Sequence, residues 1–112
     1  YEIARHGWIA DYNDPMTFLD MWLSGTGSGV WGNNDAHYNN PAYDKLVNDA
    51  KVEQDGAKRT QMLHDAEALL MKDLPILPIY FYTNIVCYRD YVKDVRKSPL
   101  GFLFFDKAYI QE

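Results

Sequence analysis

The spacing of apolar positions divides this chain into recognisable segments. Over residues 1–10, Tyr1, Ile3 and Arg5 alternate with Glu2, Ala4 and His6, and the alternation then passes into the continuous apolar run Trp8-Ile9-Ala10. A period of two predicts a strand. The pattern breaks at Asp11, and Asp14-Pro15 opens a helix, since Asp is a good N-cap and Pro suits the first helical position. Met16, Leu19, Trp22 and Leu23 continue it as an apolar stripe at helical spacing. Asn40-Pro41 starts a second helix running to about Val52, with Tyr43, Leu46, Val47 and Ala50 on its buried face. Asp55 caps a third, running to about Met71, whose inward residues are Met62, Leu63, Ala66, Leu69 and Leu70. Leu74-Pro75 ends it. Residues 76–82 are rich in β-branched and aromatic side chains, and Thr83-Asn84 turns them back into residues 85–88. Residues 90–99 read as a polar connection and 102–110 as a last apolar segment.

Helices between strand-like ends predict an α/β or α+β lobe, with three helices and a small mixed sheet. A chain of 112 residues fits a single domain over 1–112. Fewer strands than helices indicates that part of the sheet is missing. No repeat, low-complexity segment or interdomain linker is present. The absence of an initiating Met and a start inside a predicted strand suggest a fragment of a larger protein.

Composition narrows the function. With 47% hydrophobic and 24% charged residues, the chain has the make-up of an ordinary globular protein. A net charge of −5 without a dense basic block argues against nucleic acid or an anionic membrane as partner. No apolar run reaches the ~18 residues that a membrane span requires. The single Cys87 excludes an internal disulfide.

Several motifs suggest chemistry and fail on context. Gly27-Ser-Gly29-Val-Trp-Gly32 satisfies G-x-G-x-x-G, but it follows a helix and runs into the turn formers Asn33-Asn34-Asp35. A dinucleotide site needs it between strand and helix. It reads as a flexible Gly/Ser loop, with Trp31 either packed on the body or reaching towards a ligand. His6, His37 and His64 lie on separate elements without metal-ligand spacing, so neither a metal nor a cofactor is predicted. Asp11 and Asp14 could pass for a glycosidase pair, but Asp14 is better used as the helix cap. A small hydrolase using Asp11 and a His lacks a nucleophile beside a base.

Asp11 is the strongest candidate for binding. It lies where the predicted strand gives way to loop and helix, a place where ligand-binding groups concentrate. Trp8 and Tyr12 flank it, and a carboxylate between two aromatic rings suits a ligand with a positive charge.

The stretch Gly7-Trp8-Ile9-Ala10-Asp11-Tyr12-Asn13-Asp14-Pro15, followed by Phe18-Leu19, resembles the oligopeptide-binding type of ABC-importer solute receptor, the extracellular solute-binding proteins of family 5. The likeness continues through Ala36-His37-Tyr38, Asn40-Pro41-Ala42-Tyr43-Asp44-Lys45-Leu46 and Leu77-Pro78-Ile79-Tyr80-Phe81-Tyr82-Thr83-Asn84. It implies a C-terminal fragment, roughly the last fifth, belonging to a periplasmic-binding-protein-like lobe. It also implies capture of oligopeptides, with Asp11 matching the family's acidic anchor for the ligand α-amino group. Arg5 matches a residue that can meet the carboxylate end of a short peptide, and Tyr82 a position in the peptide cleft. Trp8, Ile9 and Tyr12 complete the candidate ligand-binding set. Permease subunits of an importer are the implied partners, and an extracytoplasmic, lipid-anchored parent the implied location. A receptor of the same scaffold for a dipeptide, sugar or nickel complex is the alternative. Because residues 1–9 and 102–110 read as strands separated from their neighbours, strand-exchanged self-association of the fragment is a further expectation.

Overall fold

The computed structural model describes residues 2–25 and 31–111. The chain divides into two compact units, Tyr1–Pro78 and Ile79–Glu112. The predicted loop over Gly27–Gly32 falls mostly outside the described residues. None of the described helices is long and apolar enough to cross a membrane.

The first unit is helical. α1 spans Met16–Leu19 and runs directly into a 3-10 turn over Asp20–Trp22. The predicted cap is present: Met16 N donates to Asp14 Oδ1 at 2.8 Å. α2 spans Pro41–Val52, capped by Asn40, whose side chain accepts from the amides of Ala42 and Tyr43. α3 spans Gly56–Asp73, capped in the same way by Asp55, and ends at Leu74 in the left-handed conformation, φ 51°. These three capped segments lie where the apolar spacing places them.

Their stripes meet in one core. Tyr43, Val47 and Ala50 of α2 and Leu63, Ala66 and Leu70 of α3 are buried together with Met16, Leu19, Met21 and Trp22. Leu46, Met62 and Leu69 pack against it from its edge. The Tyr43 hydroxyl, inside this core, donates to the carbonyl of Leu19 at 2.6 Å. Burial and the nearby Tyr38, Asp20 and Asp44 push its pKa up.

Residues 2–10 form no strand. A period-2 pattern records a capacity to pair, and a ladder exists only where another backbone supplies its hydrogen bonds. No such backbone lies along this segment among the described residues. Its tethers include side chains: His6 Nδ1 is 3.3 Å from Asp35 Oδ2, the His6 ring lies 5.6 Å from Trp22, and Trp8 Nε1 donates to Thr17 Oγ1 at 3.4 Å.

In the second unit the expected strands over 76–82 and 85–88 are likewise extended chain without a ladder. Two of the strands occur where a polar connection was expected, and their partners lie in the last apolar segment, which was read as strand. β1 (Val92–Lys93) pairs antiparallel with β4 (Tyr109–Ile110), and β2 (Arg96–Lys97) with β3 (Leu103–Phe104). Two antiparallel two-stranded ladders therefore replace the predicted mixed sheet, within a fold that is mixed helix and strand. Gly101, at φ +89°, closes the turn between β2 and β3, and its amide donates to Ser98 O at 2.9 Å. Arg96 holds both carboxylate oxygens of Asp106 at 2.7 Å and lies over the Phe104 ring. The last apolar segment thus pairs with residues 92–97 of its own chain. This pairs one of the two segments, 102–110 and 1–9, from which strand exchange was expected, and nothing else among the described residues supports such exchange.

Candidate functional site

In the first unit a cleft of about 450 Å³ is walled by Trp8, Asp11, Tyr12, Asp20, Trp31 and neighbours in α1 and the loops. Three of the predicted residues, Trp8, Asp11 and Tyr12, are brought together in it. Arg5 and Ile9 are not among its walls; both are exposed, Ile9 to 71%. Tyr82 belongs to the second unit, where it is exposed and its ring meets that of Tyr80 edge-on at 4.9 Å. That contact is what two residues on one side of an extended chain should make.

The cleft is built from α1 outwards. Asp14 fixes the start of the helix through its cap bond and accepts a second, charged bond from Arg59 Nη2 at 2.9 Å. The Arg59 guanidinium holds the Asp14 carboxyl below its usual range, helped by the Met16 amide. Thr17, buried on the next position, accepts from Asp11 N at 3.2 Å and from Trp8 Nε1 at 3.4 Å. One hydroxyl oxygen thereby ties the indole and the backbone of the acidic residue to the helix. The far wall hangs on Asn34, which is 0% exposed. Its amide donates to the carbonyls of Leu23 at 3.0 Å and Tyr38 at 2.8 Å, while its carbonyl accepts from Tyr38 N at 2.9 Å. Trp31 lies stacked on His37, ring centroids 4.8 Å apart. A Cβ on Gly25 would approach the Trp31 ring to 2.6 Å, so this glycine makes room for the indole. Of the two readings open for Trp31, the structure joins both: the ring packs on the body and lines the cleft.

The cleft is negative. Partial burial, followed by the charges of Asp20, Asp14 and Asp11, raises the pKa of the Tyr12 phenol, against a smaller opposing effect of Arg59. Asp14 has Arg59 as its counter-ion and Asp20 has Lys51 at 3.9 Å. Among the described residues Asp11 forms no ion pair. A carboxylate that shares a cleft wall with Trp8 and Tyr12, and forms no ion pair among the described residues, can receive a cation. No group of three or more His, Cys, Asp or Glu side chains among the described residues is placed to hold a metal ion.

The chain is 37% identical over 111 residues, 99% of its length, to the oligopeptide-binding protein OppA of Bacillus subtilis. It is 38% identical, over 98% of its length, to the periplasmic oligopeptide-binding protein OppA of Salmonella typhimurium. The chain is a relative of the oligopeptide-binding solute receptors. The dipeptide-binding protein DppE of Bacillus subtilis is also related, at 31% identity over 92% of the chain. The chain spans about a fifth of the length of these curated relatives. No family model matches it.

Asp20, Thr17 and Asn34 escaped the sequence reading. Thr17 carried one signal, a hydroxyl in the first turn directly behind the Asp14-Pro15 cap. Asn34 carried none, because nothing in Asn33-Asn34-Asp35 distinguishes the buried residue from its exposed neighbours.

Proposed function

We propose that this chain is part of the peptide-binding lobe of an oligopeptide receptor, the solute-binding component of an ABC importer, and that the Asp11 carboxylate receives the ligand's α-amino group. The observation that supports this most is that Asp11, which forms no ion pair among the described residues, shares the wall of a negative cleft with Trp8 and Tyr12. A receptor for many sequences must grip what all peptides share, the backbone and the terminal charges. An ammonium taken out of water needs a charged partner, because an uncompensated buried charge is costly. Aromatic faces on either side add attraction for the cation.

In this reading Arg5 meets the carboxylate of those peptides short enough to reach it, Tyr82 hydrogen-bonds the peptide backbone, and Ile9 supplies apolar contact. Residues 1–112 form one domain-sized, C-terminal piece of the lobe, and the receptor closes two lobes over its ligand. It binds and releases without changing a covalent bond, so it is not an enzyme. It works outside the cytoplasm, held by a lipid anchor, and hands peptide to the permease subunits.

A second reading, a dipeptide receptor on the same scaffold, draws on the dipeptide-binding relative. Mass spectrometry of ligand released from the purified full-length receptor separates the two. Peptides of three or more residues are expected. Dipeptides alone would favour the second reading, and a sugar or metal complex would contradict both.

A further inference from the structure

Thr17 has a position that packing alone does not explain. It is 2% exposed and lies among Met16 and Leu19, where a fully apolar side chain of its size would also fit the core. Its hydroxyl oxygen instead accepts two hydrogen bonds, from the amide of Asp11 and from the indole of Trp8. The donors come from six and nine residues earlier in the chain. They are the backbone of the acidic residue and the ring beside it. With two donors on one oxygen, both acceptor sites are filled, so Thr17 has none left for a ligand's ammonium.

The helix end that carries Thr17 is itself held. Asp14 caps it, Arg59 of α3 holds Asp14, and Met16 and Leu19 anchor it in the core. The segment it holds has no backbone support of that kind: residues 2–10 form no ladder and are tethered through side chains, and Asp11 is exposed. A binding group on such a segment stays in place only if something rigid fixes it, and a charged contact needs placement to within ~0.5 Å.

We propose that Thr17 is the positioning residue of the amino-terminal anchor, holding the Asp11 carboxylate and the Trp8 ring in the geometry that receives a ligand ammonium. This rests on the reading of Asp11 given above. Thr17 acts through those two groups, so its removal should alter discrimination between charged and uncharged peptide termini more than it alters stability.

The test uses the full-length receptor and one peptide in two forms, with a free or an N-acetylated terminus. Calorimetry gives the preference for the free amine in the unmodified receptor and in Thr17→Val, Thr17→Ala and Thr17→Ser. Valine or alanine should reduce that preference by roughly tenfold, the size expected for one lost charge-orienting hydrogen bond. Serine restores the oxygen and should stay within about threefold of the original. A preference unchanged in both valine and alanine variants, or a serine variant as impaired as valine, overturns the role of Thr17 alone. An unmodified receptor indifferent to acetylation overturns the amino anchor, and this inference with it. Amide hydrogen exchange in the unmodified receptor needs no variant. The Asp11 N–H should exchange slowly although the residue is exposed, and exchange at the rate of a free loop amide contradicts the proposal.

Discussion

Tyr43 and Phe81 are both large aromatic residues in apolar stretches, yet the first is 0% exposed and the second 98%. The contrast holds for the two units around them. In the first, α2 and α3 bring their stripes together over a core that includes ten buried hydrophobic residues. In the second, the strands are two residues long and no described residue is buried. Helices satisfy their backbone hydrogen bonds locally and need only a partner for one face. Strands need a neighbour for the backbone as well. Apolar sequence therefore becomes core in the first unit and remains surface in the second.

Substitutions can break or sharpen that contrast. The largest effect should come from Tyr43→Ala, which empties the centre of the helical core and removes the bond to Leu19 O. Loss of ~3–5 kcal/mol in urea unfolding of the chain is expected. Next is Asn34→Ala. It leaves the Leu23 and Tyr38 carbonyls and the Tyr38 amide without this partner in a half-buried setting, and should cost ~2 kcal/mol.

Arg59→Ala should cost less, ~1 kcal/mol near neutral pH, because the pair with Asp14 is partly open to solvent. Its pH dependence has a definite sign. Arg59 depresses the pKa of Asp14 in the folded state, so the contribution is fully present above the unfolded value of ~3.9. It fades as pH falls through the lower folded value. The unfolding curves of Arg59→Ala and the parent should therefore converge on acidification; a gap that widens below about pH 4 would contradict the pairing. Smallest of all, Phe81→Ala should change stability by less than ~0.5 kcal/mol. A loss comparable with that of Tyr43→Ala would mean that the second unit has a core after all.

The same difference explains what the sequence disclosed. Asp14-Pro15, Asn40-Pro41 and Asp55 announce helix starts through chemistry confined to a few residues, and those starts are where they were expected. The alternation at the start of the chain and the β-branched and aromatic run over 76–88 are as clear, but whether either becomes strand is decided by backbone elsewhere. Conversely, Arg96 and Lys97 look like a polar connection and form β2, because Leu103 and Phe104 arrive opposite them. In the cleft, Asp11 was legible from its aromatic neighbours. Asp20 and Asn34 became visible only when distant segments were brought together.

Tyr38 illustrates a function of a different kind within the first unit. Burial and its hydrogen bond to Asp73 push its phenol up to about 12. Asn40 donates to the same carboxylate at 2.7 Å. The start of α2 and the end of α3 are thereby joined by Tyr38 and Asn40 on one carboxylate. The wall of the cleft that hangs on Asn34 and Tyr38 is thus secured to the helical core.

The central claim is that the Asp11 carboxylate receives a peptide's α-ammonium. Calorimetry on the full-length receptor, with and without Asp11→Ala, against a peptide with a free and with an acetylated terminus, tests it most directly. Removing the carboxylate should cost the free-amine peptide ~2–5 kcal/mol, or roughly 30-fold to several-thousand-fold in affinity. Acetylation should already weaken binding to the unmodified receptor, and the two losses should not add, because each removes the same interaction. Equal affinity of the unmodified receptor for the free and acetylated peptides would contradict the claim.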